Sequence, residues 1–273
     1  MVSQLSPKFQ SAAITDIGRV RRQNEDRFLR LDALRLYAVA DGIGGLPAGA
    51  TAAQIAVDQL EACAGESSIS RASGLTPWFR AANEAVALRG RQISPSLGIG
   101  TTLTCGVIHE SLLLLAHVDD SRCYRLRAGT ATCLTVDHSV ANEQKQRAAQ
   151  GEVFPAVTDS RALAALTRCI GQFSVPAIDT FEVEINSGDR FLFLTDGIFR
   201  VIPDDELCSL LGTAASMTKR LADLIAAANH RGGPDNATAV LIEPCPESNH
   251  ECRPYPTIPK TRRPTTRQRP LSV

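Results

Sequence analysis

The sequence predicts an α+β fold in which antiparallel β-sheets are covered by helices as a layered sandwich. Apolar runs of strand length come in clusters separated by short turns, and long stretches with helical spacing lie between the clusters. No internal repeat and no regular strand–helix alternation of the doubly wound kind runs through the chain. In order, LRLYAVADG (34–42) alternates and stops at Asp41-Gly42, a strand running into a turn. LPAGATAAQIAVDQLEACA (46–64) is Ala-rich with Ile55 and Leu60 at helical spacing, and PWFRAANEAVALRGRQI (77–93) reads as a second helix. TTLTCGVIH (101–109) and LLLLAHV (112–118) are strands joined as a hairpin at Glu110-Ser111, and CYRLRAG and TATCLTV continue the meander across Ala128-Gly129. SVANEQKQRAAQ (139–150) is a polar helix followed by a less regular segment to about residue 165. FEVEINSGDRFLFLTDG (181–197) holds a strand, a turn at Ser187-Gly188-Asp189 and a second strand. DDELCSLLG and TAASMTKRLADLIAAANHRG are helices, and NATAVLIEP (236–244) closes the body as a strand.

A chain of 273 residues, 44% hydrophobic, has enough apolar side chains for one large core or two small ones. Its longest apolar runs fall far short of the ~20 residues of a membrane helix. MVSQLSPKFQ lacks the charged start and apolar block of a signal peptide, so a cytoplasmic location is expected. The eight cysteines are scattered, form no CxxC and match no zinc spacing, which points to reduced thiols. Net charge is zero but uneven. From Pro244 onward there are 6 basic and 2 acidic residues and 7 of the 15 prolines, so residues 244–273 are expected to be a disordered basic tail. A solvated tail is the plain reading; a kinase, a membrane surface or nucleic acid are the alternatives.

Acids recur where apolar runs end. Asn24-Glu25-Asp26 precedes the first candidate strand, and Asp41-Gly42, Asp119-Asp120 and Asp196-Gly197 each close one. Gly233-Pro234-Asp235-Asn236 introduces the last strand. One Asp-Gly is ordinarily a turn. Several, each after a run apolar enough to be buried, suggest carboxylates delivered to one end of a sheet core, where they repel one another unless hard cations neutralise them. All-oxygen ligands suit Mg²⁺ or Mn²⁺, and two such ions can activate water and clamp a phosphate. Arg21 and Arg22 stand close by as guanidinium candidates for a phosphate dianion. The residues alone therefore indicate a metal-dependent phosphoester hydrolase.

At these residues the chain resembles the protein phosphatase 2C family, the metal-dependent Ser/Thr protein phosphatases (PPM), in its compact bacterial form. TDIGRVRRQNEDRF (15–28), AVADGIGG (38–45), GTTLTCGVI (100–108) and AHVDDSRCYRLR (116–127) look like its motifs. LTVDHS (134–139), LTRCIG (166–171), GDRFLFLTDGIF (188–199) and GGPDNATAVLI (232–242) follow in the expected order. The resemblance implies a four-layer αββα sandwich with two central antiparallel β-sheets and a dinuclear site at one end. It implies a lead at 1–9, a catalytic domain at 10–243 with a flap at about 139–165, and the tail at 244–273.

Residue by residue, the resemblance implies that Asp41 bridges two Mn²⁺ or Mg²⁺ ions, with the Gly42 carbonyl, Asp196 and Asp235 as further ligands. Glu25 and Asp26 would hold metal-bound waters or support the ligands, Arg21 would bind phosphate, and Arg22 would be a surface side chain. Asp120 would share a weaker third metal with Asp196. The implied reaction is direct attack of a metal-bridging hydroxide on phosphoserine or phosphothreonine, without a phosphoenzyme. Substrates would be phosphoproteins made by a bacterial-type Ser/Thr kinase, acted on by a monomer with no specific nucleic-acid partner and no membrane span.

Two departures stand out. Ile43 occupies the place where eukaryotic relatives carry a His acid, and Asp119 stands where the family usually has Gly. The Asp119 side chain is expected to point to solvent, with altered third-metal binding or lost activity as the alternatives. The competing functional readings are a pseudophosphatase that binds phosphoproteins, and another two-metal hydrolase such as a nuclease.

Overall fold

The computed structural model describes residues 9–46, 48–67, 69–153, 155–212 and 214–245. The expected N-terminal lead, save Phe9, and the tail from residue 246 onward lie outside the described residues.

Two five-stranded antiparallel sheets stack face to face. One contains β2 (Arg27–Leu31), β3 (Leu36–Ala40), β4 (Leu103–His109), β5 (Leu112–Val118) and β8 (Asp179–Glu184), in that order. The other runs β1 (Phe9–Asp16), β10 (Ala237–Pro244), β9 (Arg190–Leu194), β6 (Arg122–Arg127) and β7 (Thr130–Cys133). Between them lies an apolar layer that includes Tyr37, Val39, Leu113, Leu115, Phe191, Phe193 and Val240. Central strands such as β3, LYAVA, are buried on both faces because each sheet has a helical layer on its other side.

The helices follow their apolar spacing. In α1 (Gly49–Glu66), Ala52, Ala53, Ala56, Val57 and Leu60 form one buried stripe; in α2 (Thr76–Ile93), Phe79, Ala82, Val86 and Gly90 form another. Both stripes pack on the outer face of the β2–β8 sheet with Leu36, Ala38, Leu103 and Cys105. The short helix α5 (Asp196–Phe199) joins α6 (Asp204–Leu211) and α7 (Met217–His230) over the other sheet, where Leu207, Leu221 and Leu224 meet Leu192 and Leu241. The result is the four-layer αββα arrangement. Residues 139–165 hold two further helices, α3 (Val140–Ala149) and α4 (Ser160–Leu163).

The β4–β5 turn at Glu110-Ser111 is the expected hairpin, with His109 opposite Leu112. Ala128 and Gly129, both at positive φ, make the tight turn of the β6–β7 hairpin. The meander expected from residue 101 to 136 is not one sheet. After β5 the chain turns at Asp119–Ser121 and enters the opposite sheet as β6, and the turn after β8 likewise crosses over to β9. Alternation cannot reveal this, because both strands of each pair have a buried inner face whichever sheet they join. β1 had no sequence signal of its own. FQSAAITD is an edge strand with few large apolar residues, and it is recruited by eight register pairs with β10.

Six cysteines among the described residues are free thiols, but Cys245 is disulfide-bonded, which corrects the expectation of eight reduced thiols. It follows the last paired residue of β10 and is partly buried, as are Cys63, Cys133 and Cys169.

Candidate active site

Strand register gathers the acids. Arg27 pairs with Ala40, so Asp26 and Asp41 emerge side by side from β2 and β3. Leu103 pairs with Val118, and Arg122 with Leu194, which brings Asp119–Ser121 and Asp196 to the same end of the sandwich. Asp16 pairs with Ala237, so the 17–26 loop returns beside Asp235. Six carboxylates from five chain segments thus share one rim, although their sequence neighbours gave only separate turns.

The Asp-Gly pairs have a packing reason. A Cβ on Gly42 would stand 2.4 Å from the carbonyl carbon of Gly49, and one on Gly197 would stand 2.0 Å from Asn236 O. Glycine lets each aspartate sit where its strand end abuts another backbone. Asp41 is further fixed through its main chain: its N–H donates to Thr102 Oγ1 (2.8 Å) and its carbonyl accepts from Thr101 Oγ1 (2.8 Å).

At the centre, Asp41 lies close enough to Asp26 and Asp196 for their charges to raise its pKa. Asp26, 1% exposed, accepts from Thr195 Oγ1 at 2.8 Å. Burial pushes Asp26 up to about 6, even though its Thr238 and Thr195 bonds favour the ionised form. Burial likewise takes Asp196 to about 6, with Arg200 opposing and Asp235 and Asp26 adding to the rise. Asp41 is driven well above the carboxylate range, first by burial and then by Asp26, Asp196 and Asp120. One oxygen of Asp26 and one of Asp196 are buried with no partner. Among the described residues, no three His, Cys, Asp or Glu side chains converge into a ready-made metal cage. Two guanidinium groups, Arg21 and Arg200, stand against the acids instead.

Arg21 Nη2 lies 2.6 Å from Asp235 Oδ2, and this bond raises the guanidinium pKa. The 17–26 loop that carries Arg21 is pinned by Asn236, whose side chain accepts from Glu25 N–H (2.8 Å) and donates to the carbonyls of Ile17 and Gln23 (2.9 Å each). Arg22 is exposed, as expected. The Glu25 carboxylate lies against the start of α1, where a Cβ on Gly49 would stand 3.0 Å from its Oε1. Asp120 reaches Arg200 (3.2 Å), which also pairs with Asp196. Burial raises Asp120 to about 6, with Asp196 adding to it. Sequence reasoning missed Asn236 and Arg200 as site residues; the i, i+4 spacing of Asp196 and Arg200 was the one available signal for the latter.

Asp119 departs from expectation. It is 0% exposed, its φ is +93°, and neither carboxyl oxygen has a partner. The turn that carries the chain between sheets aims it inward, so the solvent-facing reading is overturned. Burial, then Asp120 and Asp196, push its pKa well above the carboxylate range. The two histidines nearby are structural. His117, 0% exposed, bonds Thr104 Oγ1 (2.8 Å) and the Val136 carbonyl (3.2 Å), and burial lowers it to about 3. His138 Nδ1 accepts from the Asp119 N–H (2.9 Å), while its Nε2 lies 3.2 Å from Asp179 Oδ2.

The segment 139–165 forms one wall of a cleft of about 540 Å³ that opens beside the acids. Ser139, Ala141 and Leu163 line that wall, and Asp120, Phe199 and Arg200 line the cleft with them. Arg122 holds its floor through a two-bond fork to Asp137 (2.9 and 2.8 Å) and a 4.0 Å approach to the Phe199 ring.

The model of one family, Protein phosphatase 2C, matches residues 13–237. The chain belongs to the protein phosphatase 2C family. It is 32% identical to the serine/threonine phosphatase stp of Listeria welshimeri over 239 residues, covering 84% of this chain and 93% of that one. The Mycobacterium tuberculosis serine/threonine phosphatase PstP/Ppp superimposes with a TM-score of 0.71 at 31% identity, over 86% of this chain and 98% of that one. The PstP catalytic domain in complex with two manganese ions matches with a TM-score of 0.70 at 31% identity, covering 86% and 97%. Among the described residues of this family member, no helix is long and apolar enough to cross a membrane.

Proposed function

We propose that Asp41, Asp196 and Asp235, with the Gly42 carbonyl, hold two Mn²⁺ or Mg²⁺ ions, and that Glu25 and Asp26 support them. The protein is a protein serine/threonine phosphatase, a phosphoric monoester hydrolase of a metal-dependent family. The observation that carries the metal assignment is the cluster of Asp26, Asp41 and Asp196, close enough to raise one another's pKa, with a buried, unpartnered carboxyl oxygen on both Asp26 and Asp196. Such a cluster is costly without cations, and its donors are all hard oxygens, so the residues present fit divalent ions of the Mg²⁺ class.

When bound, the two ions supply an acidified water and neutralise charge on the phosphoryl oxygens. The chain does the rest. Asp41 and Asp196 are fixed by strand ends that cannot shift without breaking the sheet register. Arg21, half-exposed beside Asp235, would present its fork to the phosphate and orient it. Ile43 offers no proton to the leaving alkoxide, and His117 and His138 are committed to other bonds, so none of these three side chains is the acid. The cleft under residues 139–165 receives the peptide that flanks the phosphorylated residue.

The substrates are phosphoproteins of a bacterial-type Ser/Thr kinase, handled in the cytoplasm by a monomer. The test is phosphate release from a phosphothreonine peptide with Mn²⁺ present. Wild type should turn over, Asp196→Ala should lose nearly all activity, and chelation should abolish it reversibly. Tight phosphopeptide binding without turnover would favour the pseudophosphatase reading instead.

A further inference from the structure

Asp120 and Asp196, the pair expected to share a third metal ion, already share a cation. Arg200 Nη2 lies 3.2 Å from Asp120 Oδ2 and 2.9 Å from Asp196 Oδ2. The two carboxylate side chains are 9% and 10% exposed, whereas Arg200 is 53% exposed and reaches down onto them from the cleft. We infer that Arg200 is the resident cation of this corner and takes the place of a third metal ion, so that the protein works with two. This rests on the reading that Asp41, Asp196 and Asp235 hold those two.

Three features support it. Arg200 is four residues beyond Asp196, and its N–H donates to the Asp196 carbonyl at 3.0 Å, so charge and partner ride on one helical turn. That turn is itself held: Ile198 is fully buried, and Phe199 lies under the Arg122 guanidinium. A tethered cation is present at its site at an effective concentration on the order of millimolar or more, so a weakly held free ion must displace it. Second, the bond joins acids from two different sheets, one after β5 and one after β9, and therefore ties the crossover turn to α5. Third, a divalent ion added beside two others meets more repulsion than a single delocalised positive charge does. Arg21 differs: it bonds one acid, Asp235, and comes from a separate loop.

The test is Mn²⁺ titration of the full chain by calorimetry, with a chelated melt of each variant to confirm folding. Wild type should bind two ions per chain, and Asp120→Asn should leave that number unchanged. Arg200→Ala should gain a third, weaker ion, which is lost again when Asp120→Asn is added. Arg200→Gln gives the same reading if the alanine variant does not fold. A third ion in wild type that disappears in Asp120→Asn would overturn the inference, as would folded Arg200 variants that stay at two. Fewer than two ions in wild type would instead bring down the assignment of the core pair, and this inference with it.

Discussion

Replacing Asp119 with glycine should stabilise the protein. The wild-type residue carries two separate costs. Its φ of +93° is one that L side chains avoid, at about 1–2 kcal/mol, and glycine removes that cost. Its carboxyl group is 0% exposed with both oxygens unpartnered, a burden of about 1–3 kcal/mol even when neutral. Against these stand the greater chain entropy of glycine, about 0.5–1 kcal/mol, and the small void it leaves. The net is about 2 kcal/mol of stabilisation, which for a domain of this size raises Tm by about 4–8 °C. The effect has a pH signature. Because the folded-state pKa of Asp119 lies well above 3.8, folding is penalised increasingly as pH rises above the unfolded value. The gain on substitution should therefore be smallest near pH 4 and larger at pH 7.5. Thermal melts of wild type and Asp119→Gly across that range, with chelator and then with Mn²⁺, measure it. An unchanged or lowered Tm at pH 7.5 would refute the reasoning, as would a gain that ignores pH. Activity with Mn²⁺ should change little; a large gain would show that Asp119 inhibits the site.

Other outcomes follow from the same geometry. In chelated protein, Asp26, Asp120 and Asp196, each raised to about 6, contribute stability that is complete below 3.8 and lost as pH rises through 6. Metal-free protein should therefore melt higher at pH 5 than at pH 7.5, while Mn²⁺ affinity, measured by calorimetry, should fall as the acids protonate below about 6. Arg21→Ala should lower kcat/KM about 10–100-fold, from the loss of charge-assisted bonds worth about 1.5–3 kcal/mol, with little change in Tm because the side chain is partly exposed. Asn236→Ala leaves three backbone groups of the 17–25 loop without their partner and should cost about 2–3 kcal/mol in chemical denaturation, together with much of the activity.

Much of the acidic rim proposed as the site was legible in the chain. Asp41 and Asp196 close apolar runs of the kind that form buried strands, each is followed by glycine, and Asp235 opens the last strand. Such placement has no turn chemistry that requires it three times over. The helices were legible too, because Ala52, Ala56 and Leu60 repeat with the period of a buried stripe. The crossover at Asp119–Ser121 was not. A strand buried against either sheet shows the same pattern, so the sequence could assign β5 and β6 to strands but not to different sheets.

That one ambiguity accounts for the main error at the site. If β5 and β6 had continued one meander, Asp119 would have faced solvent; because the chain changes sheets there, the turn rolls its carboxyl inward beside Asp120. Arg200 was hidden for a related reason. Its i, i+4 relation to Asp196 is local and readable, but its bond to Asp120 spans 80 residues and exists only where β5 and β9 end together. The sequence by itself determined which groups can bear the chemistry, since an aspartate, a glycine or an arginine carries its charge and backbone freedom wherever it lies. Only the tertiary structure decided which of them share a charge, because electrostatic and hydrogen-bond partners are set by distance, and distance follows from sheet register and crossover.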